Sequence, residues 1–268
     1  MKTKLIKIGD RHKIATATYD GAGTVTGVHG LAQIGRNEAL IDYDVENYEK
    51  DITFLLPGNA TTTAQVDDRR SRSGMPKEYM SKTANDFKWN FYNQETGEAK
   101  AMINKFICNF PQFQKSGYGL YIYSDTKGSG KTLLSCCIAN EILKKRDISV
   151  KFISVSEYIE LTKSGNSDNV REGINSILDA GLLIFDEIGA IEESRDWISN
   201  TIFRLVDYRY THILPTIYTS NIEIDKLKCD ERAKDRIFEL SYKIHMPEES
   251  IRRLRAEKRR SKFIEQII

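Results

Sequence analysis

The stretch "GLYIYSDTKGSGKTLL", residues 119–134, limits the possible folds more than any other part of the chain. An apolar, β-rich run leads into a glycine loop. The loop opens a helix on which Leu134, Ile138 and Ile142 recur every four residues. A strand without polar alternation is covered on both faces, so it belongs in a parallel sheet between layers of helix. Further runs of this kind follow: "VKFIS", "GLLIFDEIG" and "TIYTSN". Helical patterns separate them. "SVSEYIELTKS" is opened by serine, and "WISNTIFRLVDYRYT" carries Ile198, Ile202, Leu205 and Val206 on one face. Upstream, "GEAKAMINKFICNF" places Ala101, Ile103, Phe106 and Ile107 near helical spacing. The expected fold class is α/β with a parallel sheet.

The same loop carries chemistry. Gly130, Lys131 and Thr132 match the second half of the pattern G-x-x-x-x-G-K-[ST]. In that pattern, backbone N–H groups from Gly128 through Ser129 and Gly130 to Lys131 face phosphates at a helix N-terminus. Lys131 reaches the β- and γ-phosphates, and the Thr132 hydroxyl coordinates Mg²⁺. The bland alternative is a flexible glycine turn before a helix. Asp125 stands where the pattern opens with glycine. That position bends the chain out of the strand, and aspartate is expected to tolerate unusual backbone angles there. A carboxylate beside a polyphosphate weakens binding, an effect that Lys127 partly offsets.

"LLIFDEIG" delivers Asp186 and Glu187 at the C-terminal end of a buried strand, where ligands of open α/β sheets bind. Asp186 is expected to hold Mg²⁺, directly or through water, and Glu187 to orient and activate an attacking water. The adjacent pair indicates hydrolysis more than transfer to a bound acceptor. Asn221, at the tip of "YTSN", is a candidate to sit beside the γ-phosphate and that water. Strands also end in Ser-Asn for turn reasons alone. In "DERAKDRIFE", Arg232 and Arg236 are four residues apart and share a helix face. Presented to a neighbouring subunit's γ-phosphate, one of them would act as a finger in trans. The competing reading is a pair of surface salt bridges to Asp235 or Glu239. Residues 250–262 carry seven Lys and Arg against one acid. Arg252 is a candidate contact to nucleotide from its own subunit. The rest of the run suits nucleic-acid phosphates or a solvated helix.

Composition bounds the remainder. The 268 residues are 40% hydrophobic and 29% charged, which fits a globular chain of one large domain or one domain with an appendage. A net charge of +2 leaves any basic surface local. Cys108, Cys136, Cys137 and Cys229 form no C-x-x-C pair, which argues against zinc and for reduced thiols in a cytoplasm. There is no signal-peptide core and no membrane span, so a cytoplasmic protein without a membrane partner is expected. Residues 1–60 form a separate region of uncertain fold. "HKIATATYDGAGTVTGVHG" is a weak strand-and-turn pattern, and "EALIDYDVENYEKDITFLL" reads as helix or strand. Residues 61–74 are polar and aperiodic and read as a linker, and 75–268 as the main domain.

Together, "GLYIYSDTKGSGKTLL", "GLLIFDEIG", "IFRLVDYRYTHILPTIYTSN", "ERAKDRIFE" and "SIRR" resemble the DnaC/DnaI-type replicative helicase loaders. These are AAA+ ATPases close to the IstB-like transposition helpers. "GMPKEYMSKTANDFKW" is similar to the segment that leads into that ATPase domain, and the resemblance runs from about Gly74 to Lys262. It implies a three-layer RecA-like core, with ATP as the nucleotide and Mg²⁺ as its ion. It assigns Lys131 and Thr132 to Walker A and Asp186 and Glu187 to Walker B. It makes Asn221 sensor 1, Arg236 the first and Arg232 the second choice of finger, and Arg252 sensor 2. It implies subunits joined through their ATP sites, binding single-stranded DNA and delivering a ring helicase. Asp125 departs from the family pattern, and residues 1–70 lack the cysteine cluster of some loaders. A short N-terminal region suits a phage or mobile-element version. Two other functions stay open: a transposition helper on duplex DNA, and a non-hydrolysing DNA-binding adaptor with a purely structural loop.

Overall fold

Strand β5 (Gly119–Tyr123) is buried along nearly its whole length, as its apolar sequence requires. It lies in a five-stranded sheet with β6 (Val150–Ser154), β7 (Leu182–Asp186), β8 (Thr216–Ser220) and β9 (Ser241–His245). The strand order is β6-β7-β8-β5-β9, and every pairing is parallel. The computed structural model describes residues 2–6, 15–19, 25–34, 37–42 and 63–267, except 166 and 191–195.

Helices connect the strands. They are α2 (Gly97–Cys108), α3 (Phe110–Ser116), α4 (Lys131–Lys145), α5 (Val155–Lys163), α6 (Asp168–Leu178), α7 (Asp196–Thr211), α8 (Glu231–Glu239) and α9 (Ile251–Ile267). Both faces of the inner strands β7, β8 and β5 are dry. Tyr121, Leu183, Phe185 and Tyr218 share a core with Tyr158 of α5, Ile177 of α6, Ile202, Leu205 and Val206 of α7, and Ile237 of α8. The alternate strand residues Leu120, Ile122, Leu182, Ile184 and Ile217 have no exposed surface either. The periodic residues of α4 are buried as expected, and so are Ile103, Phe106 and Ile107. Ala101, grouped with them on spacing, faces solvent, because the buried stripe of α2 is narrow. Ser154 opens α5 with a capping box, its hydroxyl taking the Glu157 N–H while the Glu157 carboxylate takes the Ser154 N–H.

Strand β9 and helix α6 were not expected from the sequence. In β9, Tyr242, Lys243 and His245 are exposed and Ile244 alone is buried, as suits an edge strand without a continuous apolar run.

The chain divides into two compact units, residues 1–69 with 143–147, and 70–142 with 148–268. The smaller unit contains an antiparallel meander, β1 (Lys2–Ile6), β2 (Ala15–Tyr19), β3 (Val25–Ile34) and β4 (Asn37–Asp42). The strand-and-turn reading of the N-terminal region holds for β2 and β3. The ambiguous "EALIDYDVENYEKDITFLL" begins in β4, and its remainder lies outside the described residues. The segment read as an aperiodic linker contains helix α1 (Thr63–Ser71). Ala, Gln and Arg sustain a short helix on propensity, without an apolar stripe to announce it.

The topology places the site. After β5 the chain crosses to β6 at the far edge, returns through β7 to β8 beside β5, and then forms β9 on the other side of β5. Ligands of such sheets bind at the carboxyl ends of strands where the order reverses. The adjacent strands β7, β8 and β5 carry the quoted motifs at those ends.

Candidate functional site

The loop after β5 has Gly128 at φ +83° and Gly130 at φ +95°, a left-handed conformation that favours glycine. Space demands glycine as well. A Cβ on Gly128 would lie 2.8 Å from Ser250 Oγ and 3.0 Å from Arg252 Cβ. One on Gly130 would press on Phe87, Tyr92 and Ile251 at 3.2–3.3 Å. The Tyr92 hydroxyl donates to the Ser129 carbonyl. Asp125 shows no positive φ, so the aspartate meets no backbone strain, and the expected tolerance of unusual angles is not called upon.

Lys131 Nζ donates to Ser124 O at 2.9 Å, Thr126 O at 3.1 Å and Ser129 Oγ at 3.2 Å. Burial lowers its pKa. A loop that collects a lysine ammonium and a turn of backbone amides ahead of a helix is equipped for phosphate.

Asp186, at the end of β7, is 5% exposed. The Thr132 hydroxyl straddles its two carboxylate oxygens at 3.1 and 3.2 Å. From β8, the Thr219 hydroxyl donates to Asp186 Oδ1 at 2.5 Å and accepts the Glu187 N–H at 3.0 Å. One hydroxyl thus binds the Asp186 carboxylate and the Glu187 backbone. Glu187 sits at φ +62°, an uncommon angle for a non-glycine residue. Burial pushes the Asp186 carboxyl up to about 6, helped by the Glu187 charge and opposed by the Thr219 and Thr132 hydrogen bonds. A hydroxyl and a carboxylate at this spacing form a hard-oxygen set that fits Mg²⁺, whose charge would relieve the burial cost.

Asn221 follows β8 beside the turn after Glu187: a Cβ on Gly189 would lie 2.3 Å from Asn221 Oδ1. That Oδ1 is buried and accepts no hydrogen bond. Arg252 reaches the loop from the start of α9, where its N–H donates to Gly128 O at 3.2 Å. The structure thus brings together Gly128, Ser129, Gly130, Lys131, Thr132, Asp186, Glu187 and Arg252, with Asn221 beside the acids.

Arg232 and Arg236 stand elsewhere, on α8 against α7. Both guanidinium groups lie over the Phe203 ring, at 4.0 and 4.8 Å. Arg232 pairs with Asp230 and Arg236 with Asp207. These replace the expected Asp235 and Glu239, because Asp230 caps the helix and Asp207 faces it from α7. Lys163 of α5 lies 4.6 Å over the Trp197 ring.

Thr219 was overlooked in the sequence although it stands in "YTSN", two residues before Asn221. Tyr92 and Glu248 gave no signal, because each meets the loop from far away in sequence.

The model of the IstB-like ATP binding protein family matches residues 46–259. The replicative helicase loader DnaI of Bacillus subtilis (strain 168) is 34% identical over 128 residues, which is 47% of this chain and 40% of that protein. The replicative helicase loader DnaC of Escherichia coli (strain K12) is 33% identical over 147 residues, 52% of this chain and 55% of the loader. The chain thus spans 40–55% of the length of these curated relatives. A crystal structure of DnaI superposes with a TM-score of 0.55 at 26% identity, covering 68% of this chain and 98% of that one. The expected RecA-like AAA+ core is borne out by this likeness. Among the described residues, no helix is long and apolar enough to cross a membrane.

Proposed function

The chain belongs to the IstB-like ATP-binding protein family, and from that premise we propose that it is an ATP-hydrolysing switch that loads a replicative ring helicase onto single-stranded DNA. One observation carries the hydrolytic part: the Thr219 hydroxyl sets Asp186 against Thr132 and also fixes the Glu187 backbone. Lys131 and the amides from Gly128 to Lys131 hold the polyphosphate. Thr132 and Asp186 would hold Mg²⁺, which when bound would neutralise charge on the phosphate oxygens. Glu187 accepts a proton from water, which Asn221 helps to orient. Arg252 contacts the nucleotide from its own subunit. Arg236, or Arg232 in its place, supplies positive charge to a neighbouring subunit's γ-phosphate, so subunits associate through their ATP sites.

The loading role is supported by the likeness to DnaI and DnaC over the ATPase portion. The test is ATP turnover with and without single-stranded DNA and the cognate helicase, together with pull-down of that helicase. No complex, with or without ATP, would sink the loading role. The family match also favours a second reading, a transposition helper on duplex DNA. ATP-dependent assembly on duplex but not single-stranded DNA would select it. Turnover that is abolished by Lys131→Ala or Glu187→Gln would rule out the non-hydrolysing adaptor.

A further inference from the structure

Asp125 leaves a question that the nucleotide site does not answer: what holds the opening turn of a phosphate loop that lacks its first glycine. Three donors of that turn converge on one side chain, which His245 of β9 also meets. The Asp125 N–H donates to Glu248 Oε1 at 3.0 Å and the Thr126 N–H to Glu248 Oε2 at 2.7 Å. Ser124 Oγ donates to Oε2 at 3.0 Å, and His245 Nε2 lies 2.8 Å from Oε1. Successive amides thus fall on the two oxygens of one carboxylate, a bidentate arrangement that admits a single register of the turn. Glu248 lies between β9 and α9, and its neighbours bind the same region. The Glu249 carboxylate accepts from the backbone of Asn93 and Gln94 and from Asn93 Nδ2. Ser250 and Arg252 press on Gly128.

We propose that Glu248 is a positioning residue for the phosphate loop: it clamps the Ser124–Thr126 turn, fixes it to the start of the basic helix α9, and thereby sets nucleotide affinity. The clamp replaces a conformational preference of the loop with a tie from outside it. Burial would raise the Glu248 pKa, but the bonds from His245, Thr126 and Asp125 outweigh it and hold the carboxyl down at about 2, so the clamp is ionised at any working pH. The charge makes the proposal testable by sign. Glu248 is the strongest acidic neighbour of Lys131. If it acted only by charge, its removal would relieve repulsion toward a polyphosphate and tighten binding. As a clamp, its removal loosens the loop and weakens binding.

This inference rests on residues 124–132 being a nucleotide site, so the experiment has two arms on the full-length chain. In the first, the Kd for a fluorescent ATP analogue and the KM and kcat for ATP are measured for wild type, Glu248→Gln and Glu248→Ala, each checked for folding by its thermal melt. The expected result is a Kd and KM raised about tenfold in both variants, in keeping with the loss of hydrogen bonds to a charged group, with kcat nearly unchanged. Equal or tighter binding in both variants overturns the clamp. The second arm is amide hydrogen exchange of residues 124–127 without nucleotide. Faster exchange in Glu248→Ala supports the clamp, and unchanged exchange overturns it. If wild type binds no analogue, the proposed function fails, and the exchange arm still decides the clamp.

Discussion

Arg236 forms an ion pair with Asp207 of the same chain, its guanidinium also lying 5.3 Å over the Tyr210 ring. Both partners keep some exposure, 26% and 39%, so the pair is a weak restraint, worth at most about 1 kcal/mol. In the proposed trans role, a neighbouring subunit's γ-phosphate has to draw the arginine from this pair and from the Phe203 and Tyr210 rings. Arg236→Ala is expected to leave ATP binding largely intact and to cut turnover by about 10³–10⁵, or about 4–7 kcal/mol. Steady-state ATPase assays beside nucleotide titrations check this. If Arg232→Ala produces that collapse and Arg236→Ala does not, the assignments exchange.

Lys131 and Glu187 separate binding from chemistry. The ammonium of Lys131 already sits among loop acceptors, whereas the Glu187 side chain has no part in the loop's hydrogen bonds. Lys131→Ala is expected to abolish nucleotide binding. Glu187→Gln is expected to bind normally and to lose about 10²–10⁴ in turnover, the usual contribution of a general base. Normal turnover in Glu187→Gln would remove it from the mechanism.

Much of the site was legible because its parts lie at strand ends, where an apolar run stops at a polar residue. Asp186 and Asn221 mark such boundaries, and Lys131 opens the helix that follows one. What was hidden depends on packing between distant segments. Glu248 is one acid in "MPEES", with nothing local to distinguish it. The same holds for Arg209 in "VDYRYT", which reads as the polar side of a helix and is 1% exposed in the fold. Strand β9 went unseen because an edge strand buries too little to leave a period of two. The register of α2 was legible, but the width of its buried stripe was not, which is why Ala101 was misplaced.

Arg209 makes a stability prediction. Its guanidinium donates to Ile177 O, Leu178 O, Ala180 O, Pro215 O and Thr216 Oγ1, at 2.7–3.3 Å. Burial lowers its pKa to about 10, with no carboxylate among these acceptors. It ties the C-terminal end of α6 to the chain entering β7 and β8. Arg209→Met should leave these carbonyls without a donor and cost about 3–5 kcal/mol in urea unfolding. A loss under about 1 kcal/mol would mean that the carbonyls find other donors.

Asp186 gives a pH dependence whose sign can be worked out. Its pKa rises from the ordinary 3.8 to about 6 in the fold, mainly through burial. The folded chain therefore holds this proton more tightly than the unfolded chain does. Stability from this group falls as pH rises from about 4 to about 6 and stays at the lower level above that. A shift of about 2 units corresponds to about 3 kcal/mol. Asp186→Asn stays neutral at every pH. Free of nucleotide and in chelator, it should melt above wild type at pH 8, with the advantage shrinking through pH 6 and gone near pH 4. Adding Mg²⁺ and ATP should raise the melting temperature of wild type far more than that of the variant, because only the carboxylate gains a charge partner. Melting curves across pH, with and without Mg²⁺ and ATP, read both effects. A variant less stable than wild type at pH 8 in chelator would mean that the hydroxyls of Thr132 and Thr219 already offset the burial of the charge.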